Sequence, residues 1–349
     1  KDIPIDPDII ESTSLVYADG RHNIAPDVTE WKGYYYLTFS NGSNHLKWDH
    51  QCVILRSKNL RDWHKIQTTA YPARDSFLVA RADQLLLYYI FYDPDPDGEL
   101  GPQVETRMIS SVDGLNWSSP QRQFQPLHNF WRPKMHDNEI YTASDYLDTT
   151  NLQNIPIDWY HGMSEHRRVD LLRSPNGLEW TTVSNIVTGP FTETELLFRA
   201  NNELWALSRP RTLSRTSPPY QDWSHAELPE DIIGGPALIE LQGTVYLAGR
   251  RYSSRTSEGK RAATVIWKHD SESDTFQPLT SLPEPGFVDT SYPAFLTVGT
   301  ETFIFYYSSH RYREISDFYQ VLSPPYNPCL LYTSTSPRDR GCYRMTSSA

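Results

Sequence analysis

The stretch Gly189–Arg209, GPFTETELLFRANNELWALSR, reads as an apolar strand (TELLF), a polar reversal (RANNE) and a second apolar strand (LWALS). Glu193 stands just before the first strand and Arg209 just after the second. Similar strand pairs begin at 27–40, 75–93, 131–147, 234–252 and 289–310, turning at WKG, RADQ, HDN, LQG and VGT. Such polar or Gly-containing stretches reverse a strand. A second pair follows each first one, at 52–66, 106–120, 169–183, 213–228, 261–279 and 315–323. Four short strands recurring every ~40–60 residues form the signature of a β-propeller. No segment keeps a 3.6-residue apolar period long enough for a helix.

The expected fold is therefore all-β, a six-bladed β-propeller. ESTSLVYAD (11–19) has the composition of a strand but no partner in the first unit, so it is expected to complete the last blade and close the ring. The insertion DTTNLQNIPIDWYHGMSEHRR (148–168) interrupts the third unit and reads as a loop over one face, a candidate lid. Residues 1–328 form one domain on this reading. The segment 329–349, CLLYTSTSPRDRGCYRMTSSA, changes character abruptly, resembles the translated read-through of a sequencing adapter, and is expected to be a non-native or disordered tail.

Composition narrows the function. A net charge of −11, with no Lys/Arg-rich run, argues against nucleic acid. No apolar run approaches the roughly 20 residues of a membrane helix. Aromatic residues make up 13% of the chain, which favours strands and is compatible with a sugar site. Cys52, Cys329 and Cys342 offer no disulfide framework, and His22, His45, His128 and His310 no metal-ligand spacing. No cofactor is implied. The start at Lys1, without Met or a leader, reads as a mature form or a fragment.

Ser111-Val-Asp113-Gly114-Leu-Asn-Trp117 and Ser174-Pro-Asn176-Gly177-Leu-Glu-Trp180 are one device, with Ser57-Lys-Asn59-Leu-Arg-Asp-Trp63 a degraded copy. Asp or Asn accepts backbone N–H groups inside the turn, and Gly permits positive φ. These turns resemble the Asp-box of sialidases and the S-x-DG-x-x-W turns of other propeller glycosidases. RHN (21–23), TETELLF (192–198), SPPYQDW (217–223), IGGP (233–236), AGRRY (248–252), DTSYPA (289–294) and FYYSSH (305–310) resemble, in the same order, bacterial proteins classed as sialidase-like or as exo-α-sialidases. The resemblance spans roughly 20–322 and implies a secreted or periplasmic location.

In a propeller the inner-strand starts ring one mouth of the central channel. That brings Arg21, Arg74, Asp75, Arg132, Glu193, Asp289 and Tyr292 towards one pocket, with His22, Arg209 and Arg250 beside them. Several guanidiniums around a carboxylate and a phenol suit an anionic carbohydrate, since Arg pairs bidentately with carboxylates. The sialidase resemblance implies Tyr292 as nucleophile, Glu193 as its base and Arg21, Arg209 and Arg250 as the carboxylate-binding triad. Arg251 competes with Arg250 for the last place. The acid/base is Asp75 or Asp49, with Asp75 preferred for its place at an inner-strand start. The sialidase F/Y-R-I-P motif is replaced by the similar RHNIAP (21–26). Two alternatives stand beside this hydrolase: a carboxylate-pair glycosidase in the style of arabinanases or fructosidases, using Asp27 or Asp75 with Glu193, and a non-catalytic glycan-binding propeller.

Overall fold

The computed structural model describes residues 3–43, 49–69, 72–94, 100–147, 167–229, 233–256, 259–283, 290–309 and 330–335. Its strands lie in six four-stranded antiparallel sheets. The first strand, β1 (Ser12–Tyr17), belongs to the last sheet. Sheet I holds β2 (His22–Trp31), β3 (Tyr34–Gly42), β4 (Gln51–Ser57) and β5 (His64–Thr68). Sheet II holds β6 (Ala73–Ala80), β7 (Leu85–Pro94), β8 (Leu100–Ser111) and β9 (Gln121–Gln123). Sheet III comprises β10 (His128–His136), β11 (Glu139–Leu147), β12 (Arg167–Ser174) and β13 (Thr181–Thr188). Sheet IV comprises β14 (Thr192–Phe198), β15 (Leu204–Arg209), β16 (Thr212–Thr216) and β17 (Ser224–Glu227). Sheet V comprises β18 (Gly234–Leu241), β19 (Thr244–Thr256), β20 (Gly259–Asp270) and β21 (Thr275–Ser281). Sheet VI comprises β22 (Thr290–Val298), β23 (Glu301–Ser308), β24 (Leu330–Thr335) and β1.

The first strand of each sheet packs on the first strand of the next: β2 on β6, then β10, β14, β18, β22 and back to β2. This is an all-β propeller. Apolar side chains fill each wedge between neighbours. Leu37, Phe39 and Val53 of sheet I meet Ala294, Phe305 and Tyr307 of sheet VI. Trp205 and Leu207 of sheet IV meet Leu247 and Trp267 of sheet V. Burial of these side chains, at ~25 cal/mol per Å² of apolar surface, is the main force holding sheet on sheet.

The end of the domain differs from the sequence reading. Leu330–Thr335, within the segment set aside as a tail, is a strand lying between β23 and β1 in antiparallel register. Its LLYT run has enough strand propensity to fill a free sheet edge, whatever its composition resembles. The rest of 329–349 and nearly all of the 148–168 insertion lie outside the described residues.

The third-to-fourth-strand turns of sheets I, II and III are held from within. Asp113 Oδ1 accepts the N–H groups of Leu115 and Asn116 at 2.8 Å each, and Asn176 Oδ1 those of Leu178 and Glu179 at 2.9 Å each. Asn59 does the same for Arg61 and Asp62, with Leu60 at φ +62° where the other two turns have glycine. Antiparallel pairing puts these turns at the end of the sheets opposite the inner-strand starts.

Candidate active site

All six inner strands break register at one place, between Ile24 and Asp27, Arg74 and Phe77, Trp131 and Lys134, Thr192 and Glu195, Gly234 and Ala237, and Ser291 and Ala294. At each break one residue takes positive φ: Ala25 (+54°), Asp75 (+48°), Arg132 (+37°), Glu193 (+49°), Gly235 (+56°) and Tyr292 (+49°). A bulge of this kind re-aims its side chain, and left-handed backbone at a non-glycine residue costs about 1–3 kcal/mol. The fold thus turns one residue per sheet towards the axis. Asp75, Arg132, Glu193 and Tyr292, all singled out from the sequence, occupy four of the six positions.

Glu193 is the hub. Its Oε1 accepts the Tyr292 hydroxyl at 2.6 Å and Arg209 Nη1 at 2.7 Å, and its Oε2 accepts the Gly235 N–H at 2.8 Å. Burial alone would raise this carboxyl. The charges of Arg209 and Arg250, with the hydrogen bonds from Tyr292 and Gly235, outweigh it and hold Glu193 below the usual carboxylate range. Tyr292 is pushed well above an ordinary phenol, by burial and then by the Glu193 charge, although Arg209 and Arg250 act the other way. The phenol is therefore neutral and donates its proton to an ionised carboxylate. Its ring is set between Trp131 and Tyr307, with centroids at 5.7 and 5.9 Å.

Two glycines make room for this cluster. A Cβ on Gly235 would lie 2.7 Å from Tyr292 Cγ, and one on Gly234 would run into the Arg250 guanidinium. Arg250, paired with Gly234 across the hairpin, is buried, with its guanidinium carbon 5.9 Å from the Tyr292 ring centroid. It is the residue of the Arg250/Arg251 pair that faces Tyr292 and Glu193.

Asp75 is half-buried, its N–H on Ser40 Oγ at 2.9 Å. Burial raises its carboxyl and the Glu193 charge adds to that, while Arg74 and Arg132 oppose it; the net shift is upward. Arg74 sits beside it, also half-buried. Arg21 lies in a group of its own, with Nε on Asn41 Oδ1 at 2.9 Å and Nη2 on Asp49 Oδ2 at 3.3 Å.

Two expectations change, and a third is not reached. His22, expected beside the substrate, is fully buried, edge-on to His50, and has no surface to offer a ligand. Arg132 is 2% exposed and directs its guanidinium at backbone carbonyls across the axis. It is not placed to grip a sugar. Asp289 lies outside the described residues. On the far side of Arg132 lies a cavity of about 310 Å³, with Asp27, Lys134 and Glu195 in its lining.

Among the buried carboxyls that escaped the sequence reading, Asp145 is the one raised in part by the Glu193 charge. Asp145 takes a 3.3 Å bond from Arg167 Nη2 and is raised to about 6, by burial first and in part by the Glu193 charge. It lies in the second strand of sheet III opposite Asn129, three residues before the bulge residue of the inner strand, and nothing in the sequence pattern of that strand sets it apart.

No protein-family model matches the sequence, and a comparison with curated proteins finds no match. Among solved structures, the fold is similar to a protein of unknown function from Dyadobacter fermentans (TM-score 0.71, 16% identity, 93% of this chain and 98% of that one). It is also similar to the Penicillium chrysogenum α-L-arabinanase complexed with arabinobiose (TM-score 0.61, 12%, 94% and 99%). The Trypanosoma rangeli sialidase in complex with sialic acid gives a TM-score of 0.64 at 10% identity, covering 94% of this chain and 55% of that one. At these identities the likeness is one of fold.

Proposed function

We propose that this chain is a retaining glycoside hydrolase that removes a terminal, carboxylate-bearing sugar of the sialic acid type. Tyr292 is the nucleophile, Glu193 its base and Asp75 the acid. The observation that carries this reading is the 2.6 Å bond from the Tyr292 hydroxyl to Glu193 Oε1, with Arg209 on the same oxygen. A phenol attacks an anionic sugar with less charge repulsion than a carboxylate would, and sialidases are known exceptions to the carboxylate pair.

The Tyr292 oxygen bonds to the anomeric carbon as its proton passes to Glu193, the glycosidic bond breaks, and Asp75 protonates the departing oxygen. Water then attacks the same carbon, Asp75 takes a proton from it, and Tyr292 leaves and regains its proton from Glu193. Arg209, whose side chain is 34% exposed, binds the sugar carboxylate with the buried charge of Arg250 behind it, and Arg21 extends that surface. Asp75 suits the acid because its raised carboxyl keeps the proton, whereas Asp49 is ion-paired with Arg21. Arg132 crosses the channel beneath Tyr292, which favours a blind pocket and so an exo-acting enzyme.

Tyr292→Phe and Glu193→Gln are each expected to lower sugar release from an aryl sialoside by roughly 10²–10⁴-fold. Unchanged turnover in either variant rejects this mechanism.

One observation favours a second reading. Asp75 is shifted up and Glu193 down, and two carboxyls pushed apart mark an acid and a base or nucleophile. Such a carboxylate-pair hydrolase would act on a neutral furanoside, a class that includes the arabinobiose of the arabinanase complex. Tyr292→Phe would then keep turnover of an aryl arabinofuranoside, while Asp75→Asn and Glu193→Gln would lose it.

A further inference from the structure

Arg132 reaches four other sheets from the middle of the ring. Its Nη2 donates to the carbonyls of Tyr292 at 3.2 Å and Pro26 at 3.5 Å, and its Nη1 to that of Pro236 at 3.3 Å. The same Nη1 lies 3.7 Å from Glu195 Oε2. These contacts are not scattered. Tyr292 is the bulge residue of sheet VI, and Pro26 and Pro236 directly follow the bulge residues Ala25 and Gly235. Glu195 stands two residues after Glu193. The guanidinium therefore holds the backbone that aims Tyr292 and the backbone next to the N–H that fixes Glu193 Oε2.

The geometry points to Arg132 as a positioning residue, which clamps the bulges of sheets I, V and VI so that Tyr292 and Glu193 keep their contact. It rests on the reading of Tyr292 and Glu193 as the reacting pair. A planar guanidinium spreads its donors over separate nitrogens in fixed directions and so serves carbonyls on different sheets, whereas an ammonium presents its three donors from a single point. Left-handed backbone at Tyr292 and Ala25 persists only when its surroundings over-determine it, and the carbonyl bonds from Arg132 supply that constraint. Positive charge at this depth is balanced by Glu195, which is itself buried and paired with Lys134 at 2.8 Å.

The test compares the wild type with Arg132→Lys and Arg132→Gln, first checking by circular dichroism that each variant folds. With an aryl sialoside, kcat is expected to fall roughly 10²-fold, the usual consequence of about 1 Å of misplacement, with KM within about twofold of the wild type. Hydrogen–deuterium exchange gives a readout independent of activity. Peptides covering 290–296 and 234–238 should exchange at least about tenfold faster in Arg132→Lys, while those from β13 and β17 stay unchanged. Wild-type exchange and kcat overturn the proposal. So does a rise in KM at constant kcat, which would return Arg132 to substrate contact. Should the wild type itself release no sugar, the sialidase reading falls and the exchange rates alone decide the role of Arg132.

Discussion

Replacing Gly235 with alanine adds one methyl group and removes no hydrogen bond, since the N–H that reaches Glu193 Oε2 at 2.8 Å is retained. The new Cβ would lie 2.7 Å from Tyr292 Cγ, 2.8 Å from Cδ1 and 3.0 Å from Ser291 Oγ. Carbon atoms rest at ~3.5–4.0 Å, so the phenol must retreat by about 1 Å. Trp131 and Tyr307 flank the ring and leave it little freedom to slide while keeping its bond to Glu193. A displacement of that size stretches the 2.6 Å contact to roughly 3.5 Å, the limit of a hydrogen bond. Turnover of an aryl sialoside should then fall roughly 10²-fold. Left-handed backbone at an alanine adds a stability loss of about 1–2 kcal/mol, read from urea unfolding. Gly243→Ala is the control: its φ is +82° and a Cβ there would meet nothing within 4 Å. It should show a similar stability loss with full activity. If Gly235→Ala retains turnover within about twofold of Gly243→Ala, the packing of Tyr292 against Gly235 does not position the nucleophile and the reasoning fails.

Two further outcomes follow from the titrating groups. Activity should be bell-shaped in pH, falling at low pH as Glu193, held below the usual range, gains a proton, and at high pH as Asp75, held above it, loses one. Asp75→Asn, assayed on a substrate with a good aryl leaving group, should lose the high-pH limb; a limb that persists removes Asp75 as the acid. Stability should also weaken in acid through His128, which burial and then the Arg168 charge lower to about 3. The folded ring stays neutral while the unfolded one takes a proton below its ordinary value near 6.5, so its contribution is whole above that value and shrinks as pH drops towards 3. By pH 4.5 the loss is roughly 2–3 kcal/mol. His128→Phe keeps the stack on Tyr146, 4.2 Å between centroids, and should flatten the fall in urea-unfolding free energy between pH 7 and 4.5; an unaltered slope assigns it to another group.

The sheets were legible because each hairpin carries its own local signals, an apolar run, a polar reversal and a second run. The meeting of Glu193 with Arg209 follows from those signals, since the two residues close one hairpin. Its contact with Tyr292, 99 residues on, required the repeat to be recognised as a ring. Depth along the axis was not legible. Arg132 and Tyr292 share the same bulge position, yet one is buried against carbonyls and the other faces Glu193. No periodicity separates them, because the difference lies in rotamers and in the room left by other sheets. His22 was misplaced for the same reason. β24 was missed because composition was weighed above strand propensity. The bulges had a readable trace: Ala25, Arg132, Gly235 and Tyr292 each precede a proline, four of six equivalent positions.

That repeated bulge explains why the pair can form at all. Glu193 belongs to sheet IV and Tyr292 to sheet VI, so their contact passes over sheet V. Any side chain at the equivalent position of sheet V would stand between them, and that position is Gly235. On the other side of Tyr292 the ring brings sheet I, whose bulge residue is Ala25. The largest of the six inward residues is thus flanked by the two smallest, and the left-handed backbone is repeated in all six sheets although the residues placed on it differ in charge and size. Exchanging the residue at one bulge therefore changes the centre of the ring without changing the ring. The constraint acts between neighbours: a bulky residue facing the axis from one sheet requires small ones beside it, and a carboxylate two sheets away gains its phenol only through the gap that glycine leaves.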